Sequence, residues 1–173
     1  MAFKLKFQTM WITMLLIALL VLALLFTKFE IRHDIIIQAE PSKVWNSIID
    51  FPNYKAWNSQ LSYLGGIVQP KSVIHLKLSV ANTTPYEFKP VISHWEENRR
   101  FAWLATTIMP RLFDGEHFFE LSDLGNGSTL LTNREEYRGV ISLIMKSLPM
   151  MKEAPKGFEK MNIELKNHIE KQP

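Results

Sequence analysis

The sequence predicts an α+β fold in which a curved antiparallel sheet of about seven strands holds one long C-terminal helix. From residue 61 onward, segments with a two-residue apolar period follow one another and are separated by short turns, as is typical of antiparallel strands. After residue 155 the apolar residues recur with a helical period, so the last segment has one apolar face. That face has to be buried, and the sheet is the surface available to bury it.

The composition suits one folded domain with an additional N-terminal segment. The chain has 173 residues, 47% of them apolar. The predicted division is a tail with a transmembrane helix in residues 1–29 and a folded domain in residues 30–173. The absence of cysteine excludes disulfide frameworks, zinc–thiolate sites and cysteine nucleophiles. Lys4, Lys6 and Lys28 account for the net charge of +3, and the otherwise neutral chain argues against a nucleic-acid partner.

The N-terminal segment has the composition of a membrane helix. Residues 7–27 carry no charge, and about 20 apolar residues are enough for a helix to cross a bilayer, so we predict a transmembrane helix there. The alternative is a cleaved signal peptide, but no Ala-x-Ala site precedes Lys28. The flanking positive charges balance and do not orient the span. A very short N-terminal tail usually stays in the cytoplasm, which favours a domain on the outer face. The predicted localisation is a single-pass protein of a bacterial inner or plasma membrane.

The folded domain is predicted to begin with a strand and two short helices. The β-branched run in EIRHDIIIQAE predicts a strand at about residues 31–38. The segment EPSKVWNSI predicts a helix whose apolar face holds Val44, Trp45 and Ile48. The segment DFPNYKAW then restarts the chain as a second short helix. These two helices are expected to close one end of the sheet.

Six further strands and one helix complete the predicted order of elements. The strands are separated by turns rich in Pro, Asn and Gly, and the short connections favour an antiparallel meander. The final helix is predicted to start at Pro155, with Phe158, Met161, Leu165 and Ile169 on its buried face. The six strand segments are SYLGGIV, SVIHLKLSV, YEFKPVISHWEE, RFAWLATTI, LFDGEHFFELSDL and STLLTNREEYRGV.

Four segments, which together span about residues 31–171, carry a family resemblance. They are IIIQAEPSKVWNSIIDFPNYKAWN, GEHFFEL, REEYRGV and GFEKMNIELKNHIE. Their order and spacing resemble the SRPBCC superfamily of START/Bet v 1-like helix-grip proteins, and within it the polyketide cyclase-like bacterial branch. The resemblance implies a helix-grip fold with a hydrophobic cavity for a lipid, sterol or polyketide-like molecule. Since helix-grip proteins include carriers, receptors and cyclases, the function has to be argued from the site.

The last hairpin brings together the residues that are best suited to chemistry. A three-residue loop at residues 125–127 places His117 opposite Glu135 and Gly115 opposite Tyr137. Opposed side chains share a face of the sheet, so His117 and Glu135 are expected to meet. A two-residue loop would shift the register by one and move Glu135 to the other face.

His117 and Glu135 are the candidate catalytic residues. If both face the cavity, a carboxylate–imidazole pair can act as a general acid and base. The alternative is a polar pair that fixes the hairpin register or contacts a ligand head group. The predicted ligand-binding residues are Trp95, Trp103, His117, Phe119, Glu135 and Tyr137.

No cofactor or metal is expected. His75, His94 and His117 lie on different strands, and their spacing matches no recognised zinc pattern. Phosphate-binding and dinucleotide-binding motifs are also absent from the sequence. The apolar, methionine-bearing segment 139–151 has three interpretations, which are core packing, a lid over the cavity mouth and a second membrane contact.

Three functions fit these features. The preferred one is a membrane-anchored protein that binds a lipid or another hydrophobic small molecule in a helix-grip cavity. The second is a polyketide cyclase-like enzyme that uses His117 and Glu135. The third is a non-catalytic interaction module of a membrane complex, with a filled core and no cavity. A cavity that holds both candidate side chains separates the first two functions from the third.

Overall fold

The computed structural model describes the backbone of residues 2–80 and 84–171. Side-chain burial is described from Met10 onward. Helices and strands follow the predicted order of elements. The helices are α1 (Ala2–Leu24), α2 (Pro41–Ile49), a short 3-10 helix (Phe51–Ala56), α3 (Ser142–Lys146) and α4 (Pro149–Glu170). The strands are β1 (Lys28–Ile37), β2 (Leu61–Gly66), β3 (Ile74–Leu78), β4 (Tyr86–Phe88), β5 (Val91–Glu96), β6 (Arg100–Thr107), β7 (Phe113–Asp123) and β8 (Thr129–Arg138).

The strands form two antiparallel sheets that are joined along one edge. The larger sheet has the order β1-β8-β7-β6-β5, and the smaller has the order β2-β3-β4. An isolated bridge between Val73 and Val91 links them, and the Ile74 amide donates a hydrogen bond to the Pro90 carbonyl at 3.1 Å. Residues 2–80 and 84–171 form eight strands rather than about seven, because the predicted segment 86–97 is divided between β4 and β5. Pro90, which lacks a backbone N–H, lies at that division.

Helix α4 lies across the larger sheet and is fixed there by apolar packing and by one buried polar contact. Asn162 is fully buried. It accepts a hydrogen bond from Asn133 of β8 at 2.8 Å and donates one to the His33 carbonyl of β1 at 3.0 Å. These bonds satisfy polar groups that would be costly to bury alone. The predicted apolar face is confirmed by the burial of Phe158, Met161, Leu165 and Ile169.

Helix α4 begins at Pro149 rather than at Pro155, so the predicted start of the helix was wrong. Pro149 occupies the first turn, where a missing backbone N–H costs no helical hydrogen bond. Pro155 lies inside the helix and removes the bond that its N–H would otherwise make to the Met151 carbonyl. The apolar contacts of α4 with the sheet outweigh this local loss.

The two short helices close one end of the grip, as the sequence predicts. Phe51 and Tyr54 are fully buried, and their rings stack with centroids 4.6 Å apart. The Tyr54 hydroxyl donates to the Ile48 carbonyl at 2.6 Å, and burial raises the pKa of Tyr54. We call this region the packed end, and it consists of Phe51, Tyr54, Phe101, Phe119 and Leu165.

The predicted transmembrane helix over residues 7–27 is wrong. Helix α1 runs from Ala2 to Leu24, so it includes Lys4 and Lys6 and ends three residues before the predicted span does. Within residues 2–80 and 84–171, the structure has no helix that is both long and apolar enough to cross a bilayer.

Candidate functional site

A cavity of about 500 Å³ lies between α4 and the two sheets, at the end opposite the 3-10 helix. Most of its lining side chains are apolar, and four of them are methionines, which adapt easily to differently shaped ligands. We call this region the cavity end. Its apolar lining includes Leu78, Phe88, Trp103, Ala105 and Phe113 from the sheets and Met145, Met150, Met151, Ala154, Phe158 and Met161 from the helices.

The last hairpin has the predicted register. The Leu124 amide donates to the Ser128 carbonyl at 3.0 Å, which closes a three-residue loop. His117 is therefore paired with Glu135, and both side chains line the cavity. His117 Nδ1 lies 3.6 Å from Glu135 Oε2, which is too long for a hydrogen bond but within the distance of an ion pair when the imidazole is protonated.

The His117 ring stacks against two aromatic side chains. Its centroid lies 4.5 Å from that of Trp103 and 5.0 Å from that of Phe158. The residue is only 5% exposed. Its Nε2 is buried and has no hydrogen-bond partner among the described residues. The stacking fixes the imidazole plane and leaves only its edge for polar contacts.

Glu135 is held in place by Tyr137 and by the absence of a side chain at Gly115. The Tyr137 hydroxyl donates to Glu135 Oε2 at 2.7 Å. A Cβ atom at position 115 would lie 2.6 Å from Glu135 Oε1, so glycine leaves the space that the carboxylate occupies. The Tyr137 ring is itself stacked between Phe29, at 4.8 Å, and Phe113, at 5.5 Å.

The tyrosines beside Glu135 remain protonated over an extended pH range. Burial, and then the negative charge of Glu135, raise the pKa of Tyr137 well above its ordinary value. The same two causes, in the same order, raise the pKa of Tyr86 to about 12. Both phenols therefore stay hydrogen-bond donors near neutral pH.

Four of the six predicted ligand-binding residues lie together. Trp103, His117, Glu135 and Tyr137 all line the cavity, and their binding role stays a prediction. Phe119 does not line it: it shares the inner face with His117 but lies one pair further along β7, in the packed end.

Trp95 also lies outside the lining. Its ring packs edge-on against Trp45, at 5.5 Å, and against Phe101, at 5.7 Å. The sequence analysis did not identify the small residues of the lining. Only Gly115, which lies inside the GEHFFEL strand, indicated a place where side chains leave space. These missed residues are Ala105, Ala154 and Gly157.

The three histidines considered as metal ligands point to different partners. His75 Nε2 contacts Glu87 at 3.0 Å within the smaller sheet. His94 Nε2 contacts Glu116 at 3.4 Å on the outer face of the larger sheet. In the described part of the chain, no three His, Asp or Glu side chains form a group that could hold a metal ion.

Segment 139–151 forms one wall of the cavity. It contains α3 and the start of α4, and Met145, Met150 and Met151 point to the lining. Gly139 is required at its beginning because a Cβ atom there would lie 2.5 Å from the Leu112 carbonyl, and its φ is 127°. The methionines of this segment pack into an apolar cluster, as the core-packing interpretation expects, and a lid role stays a prediction.

Solved structures of several proteins share this fold. The Zhui aromatase/cyclase from Streptomyces sp. R1128 has a TM-score of 0.65 and 12% identity, with 84% of this chain and 96% of that chain covered. A START superfamily protein from Mycobacterium smegmatis has a TM-score of 0.64 and 18% identity, covering 83% and 99%.

A plant enzyme shows the same likeness. Norcoclaurine synthase from Thalictrum flavum, solved with dopamine and hydroxybenzaldehyde, has a TM-score of 0.64 and 11% identity, covering 85% of this chain and 89% of that chain. At these identities the likeness concerns the fold alone. Among curated proteins, none matches the chain.

The family is shown by the sequence itself. The family model described as polyketide cyclase / dehydrase and lipid transport matches residues 28–170, which is most of the chain and begins at the first residue of β1. The START and cyclase folds among the similar structures agree with the SRPBCC resemblance of the four sequence segments. The chain belongs to the polyketide cyclase/dehydrase and lipid transport family.

Proposed function

We propose that the protein binds a lipid or another hydrophobic small molecule in the cavity between α4 and the sheets. The observation that carries this proposal is the cavity itself. Its volume of about 500 Å³ falls in the range of small-molecule sites, roughly 300 to 1,000 Å³. Its walls combine apolar side chains with a few polar groups, which is the usual composition of such sites.

The two kinds of wall have different physical roles. Each Å² of apolar surface that a ligand buries contributes roughly 25 cal/mol to the free energy of binding. The methionine and aromatic walls therefore supply most of the affinity. Among the polar groups of the lining, Glu135, Tyr137 and His117 lie together on one wall. A ligand with one polar end is therefore oriented with that end toward Glu135.

Native mass spectrometry of the full chain, purified from the cells that express it, tests the proposal. We expect a bound apolar molecule to appear as added mass and to disappear after extraction with a hydrophobic resin. Ala154→Phe, which adds a ring inside the cavity, should reduce the bound fraction. Glu159→Phe, which adds the same ring to the exposed face of α4, should leave it unchanged. A mass without ligand, together with no binding to a lipid panel, would contradict the proposal.

Catalysis is a second candidate function, and one observation favours it. His117 and Glu135 line the same cavity, 3.6 Å apart, and a solvent-facing position of either would have removed this candidate. Such a pair can move a proton to and from a polyketide-like ligand. Incubation with a reactive poly-β-ketone should then give a cyclised product that His117→Asn and Glu135→Gln both abolish. A product profile equal to that of buffer alone would contradict it.

The remaining hypotheses lead to simpler expectations. An interaction module with a filled core does not agree with a cavity of about 500 Å³.

Localisation of the protein at a membrane stays a prediction. Fractionation of cells that express the full chain tests it, because recovery of the chain in the supernatant after ultracentrifugation would contradict it.

A further inference from the structure

The cavity has an uneven balance of charge. Of the described residues that line it, Glu135 carries the only carboxylate, and none is a lysine or an arginine. We propose that the cavity selects apolar amines and binds their protonated nitrogen at the Glu135 carboxylate. This inference rests on the proposed function and specifies the class of ligand that the site prefers.

The carboxylate has an oxygen that is available to a ligand. Oε2 accepts the Tyr137 hydroxyl at 2.7 Å, while Oε1 lies above Gly115 without a hydrogen bond from a described residue. An ionised carboxylate accepts about four hydrogen bonds, so the Tyr137 bond leaves most of this capacity unused. An ammonium group carries only donors and matches these positions.

The nearby cations of the protein are already occupied elsewhere. Arg134 pairs with Glu120, and Arg138 pairs with Glu116, on the opposite face of the larger sheet. Lys146 is exposed and lies 5.7 Å from the ring centroid of Phe29, which does not line the cavity. Among the described residues of the lining, only His117 can carry positive charge, and its Nδ1 is 3.6 Å from Glu135 Oε2.

The aromatic walls favour the same charge. Trp103, Tyr86, Phe113 and Phe158 all line the cavity. The face of an aromatic ring attracts a cation and repels an anion, and this attraction grows when water is excluded. An anionic head group would meet both the rings and the Glu135 charge, and no described lysine or arginine of the lining would compensate it.

Isothermal titration of the full chain with dodecylamine, dodecan-1-ol and dodecanoate separates charge from chain length. At neutral pH the amine is protonated and the acid is ionised, so the three probes share an apolar chain and differ in head-group charge. We expect dodecylamine to bind roughly tenfold or more tightly than dodecanol, as one charge-assisted hydrogen bond provides, with dodecanoate the weakest. Equal affinities for the amine and the alcohol, or tighter binding of dodecanoate, would overturn the inference.

Two matched variants locate the preference. Glu135→Gln keeps the size of the side chain and removes its charge, so the amine should bind no more tightly than the alcohol. Glu136→Gln makes the same change one residue along, where the side chain pairs with Arg134 on the outer face, and should keep the preference. A preference that survives in Glu135→Gln would contradict the assignment to this residue. Failure of all three probes to bind would count against the proposed function itself, whereas uniform binding would count against the charge preference alone.

Discussion

The packed end and the cavity end are built from the same pair of strands, yet only one of them is filled. Along β6 and β7, the inward-facing pairs are Phe101 with Phe119 at the packed end and Trp103 with His117 in the middle. The next inward-facing pair is Ala105 with Gly115, and it lines the cavity. The backbone pairing continues without a break through all three, so the open space comes from the size of the side chains.

The helix repeats this pattern. Leu165 of α4 is fully buried at the packed end, whereas Ala154 and Gly157 of the same helix line the cavity. Small residues therefore line the cavity end from both the sheet and the helix. The difference shows that this fold holds a ligand space by choosing small side chains along regular elements, without a gap in the sheet.

The largest expected effect separates the two ends by stability. Phe119→Ala should lower the free energy of unfolding by about 3 to 5 kcal/mol, because it leaves a cavity in close-packed surroundings. Phe158→Ala removes a ring that already borders open space, and we expect a clearly smaller loss. Urea unfolding followed by tryptophan fluorescence measures both. Equal losses would show that the cavity end is as tightly packed as the other end.

The buried hydrogen bond between Asn162 of α4 and Asn133 of β8 should have the next largest effect. Asn162→Ala removes the oxygen acceptor of the buried Asn133 amide, leaves it only the weaker Met161 sulfur, and should cost about 1 to 3 kcal/mol. Asn167→Ala makes the same change on the exposed face of α4 and should be nearly neutral. Urea unfolding of the two variants measures the difference. A neutral Asn162→Ala would mean that the buried hydrogen bonds of Asn162 do not help to hold α4 against the sheet.

A smaller effect is expected from a substitution beside Glu135 in the cavity end. Gly115→Ala adds a methyl group 2.6 Å from Glu135 Oε1, so the carboxylate has to move away. We expect the preference for dodecylamine over dodecanol to fall while stability decreases by about 1 kcal/mol. Titration calorimetry and thermal unfolding measure the two effects. An unchanged preference would show that the ligand does not meet the carboxylate in this position.

The smallest effect is expected on the outer face of the larger sheet, where charged side chains form ion pairs. The Arg134 hydrogen bond lowers the pKa of Glu120 below its ordinary value. A lowered pKa in the folded state stabilises the protein above the unfolded-state pKa, and this contribution is lost as the pH falls through the folded-state pKa. Glu120→Gln should therefore weaken the decrease of stability below about pH 4, by up to about 1 kcal/mol. Urea unfolding at neutral and at acidic pH tests this, and identical acid profiles would contradict it.

Much of the fold is predictable because it depends on local signals. The loop at residues 125–127 determines the register of β7 and β8, and so predicts the pairing of His117 with Glu135. The helical period identifies the buried face of α4. The start of α4 was missed because the sequence does not show that tertiary contacts can tolerate Pro155 inside a helix.

The site was harder to predict because the alternation of side chains along a strand shows which face of the sheet a residue is on. It does not show whether that residue lies at the packed end or at the cavity end. Phe119 shares its face with His117 and still lies in the packed end. Trp95 follows an irregularity between Ile92 and His94, where the register of β5 shifts. The lining depends on small residues such as Ala105, which carry no sequence signal of their own.

The most direct test of the account is the heat-capacity change when dodecan-1-ol binds to the full chain. Titrations at several temperatures should show binding with a negative heat-capacity change, because apolar surface is buried. Ala105→Phe, which places an aromatic ring where the small pair opens the cavity, should abolish that signal while the chain remains folded. Binding by Ala105→Phe with the affinity and heat-capacity change of the original chain would contradict the claim that small side chains create the ligand site.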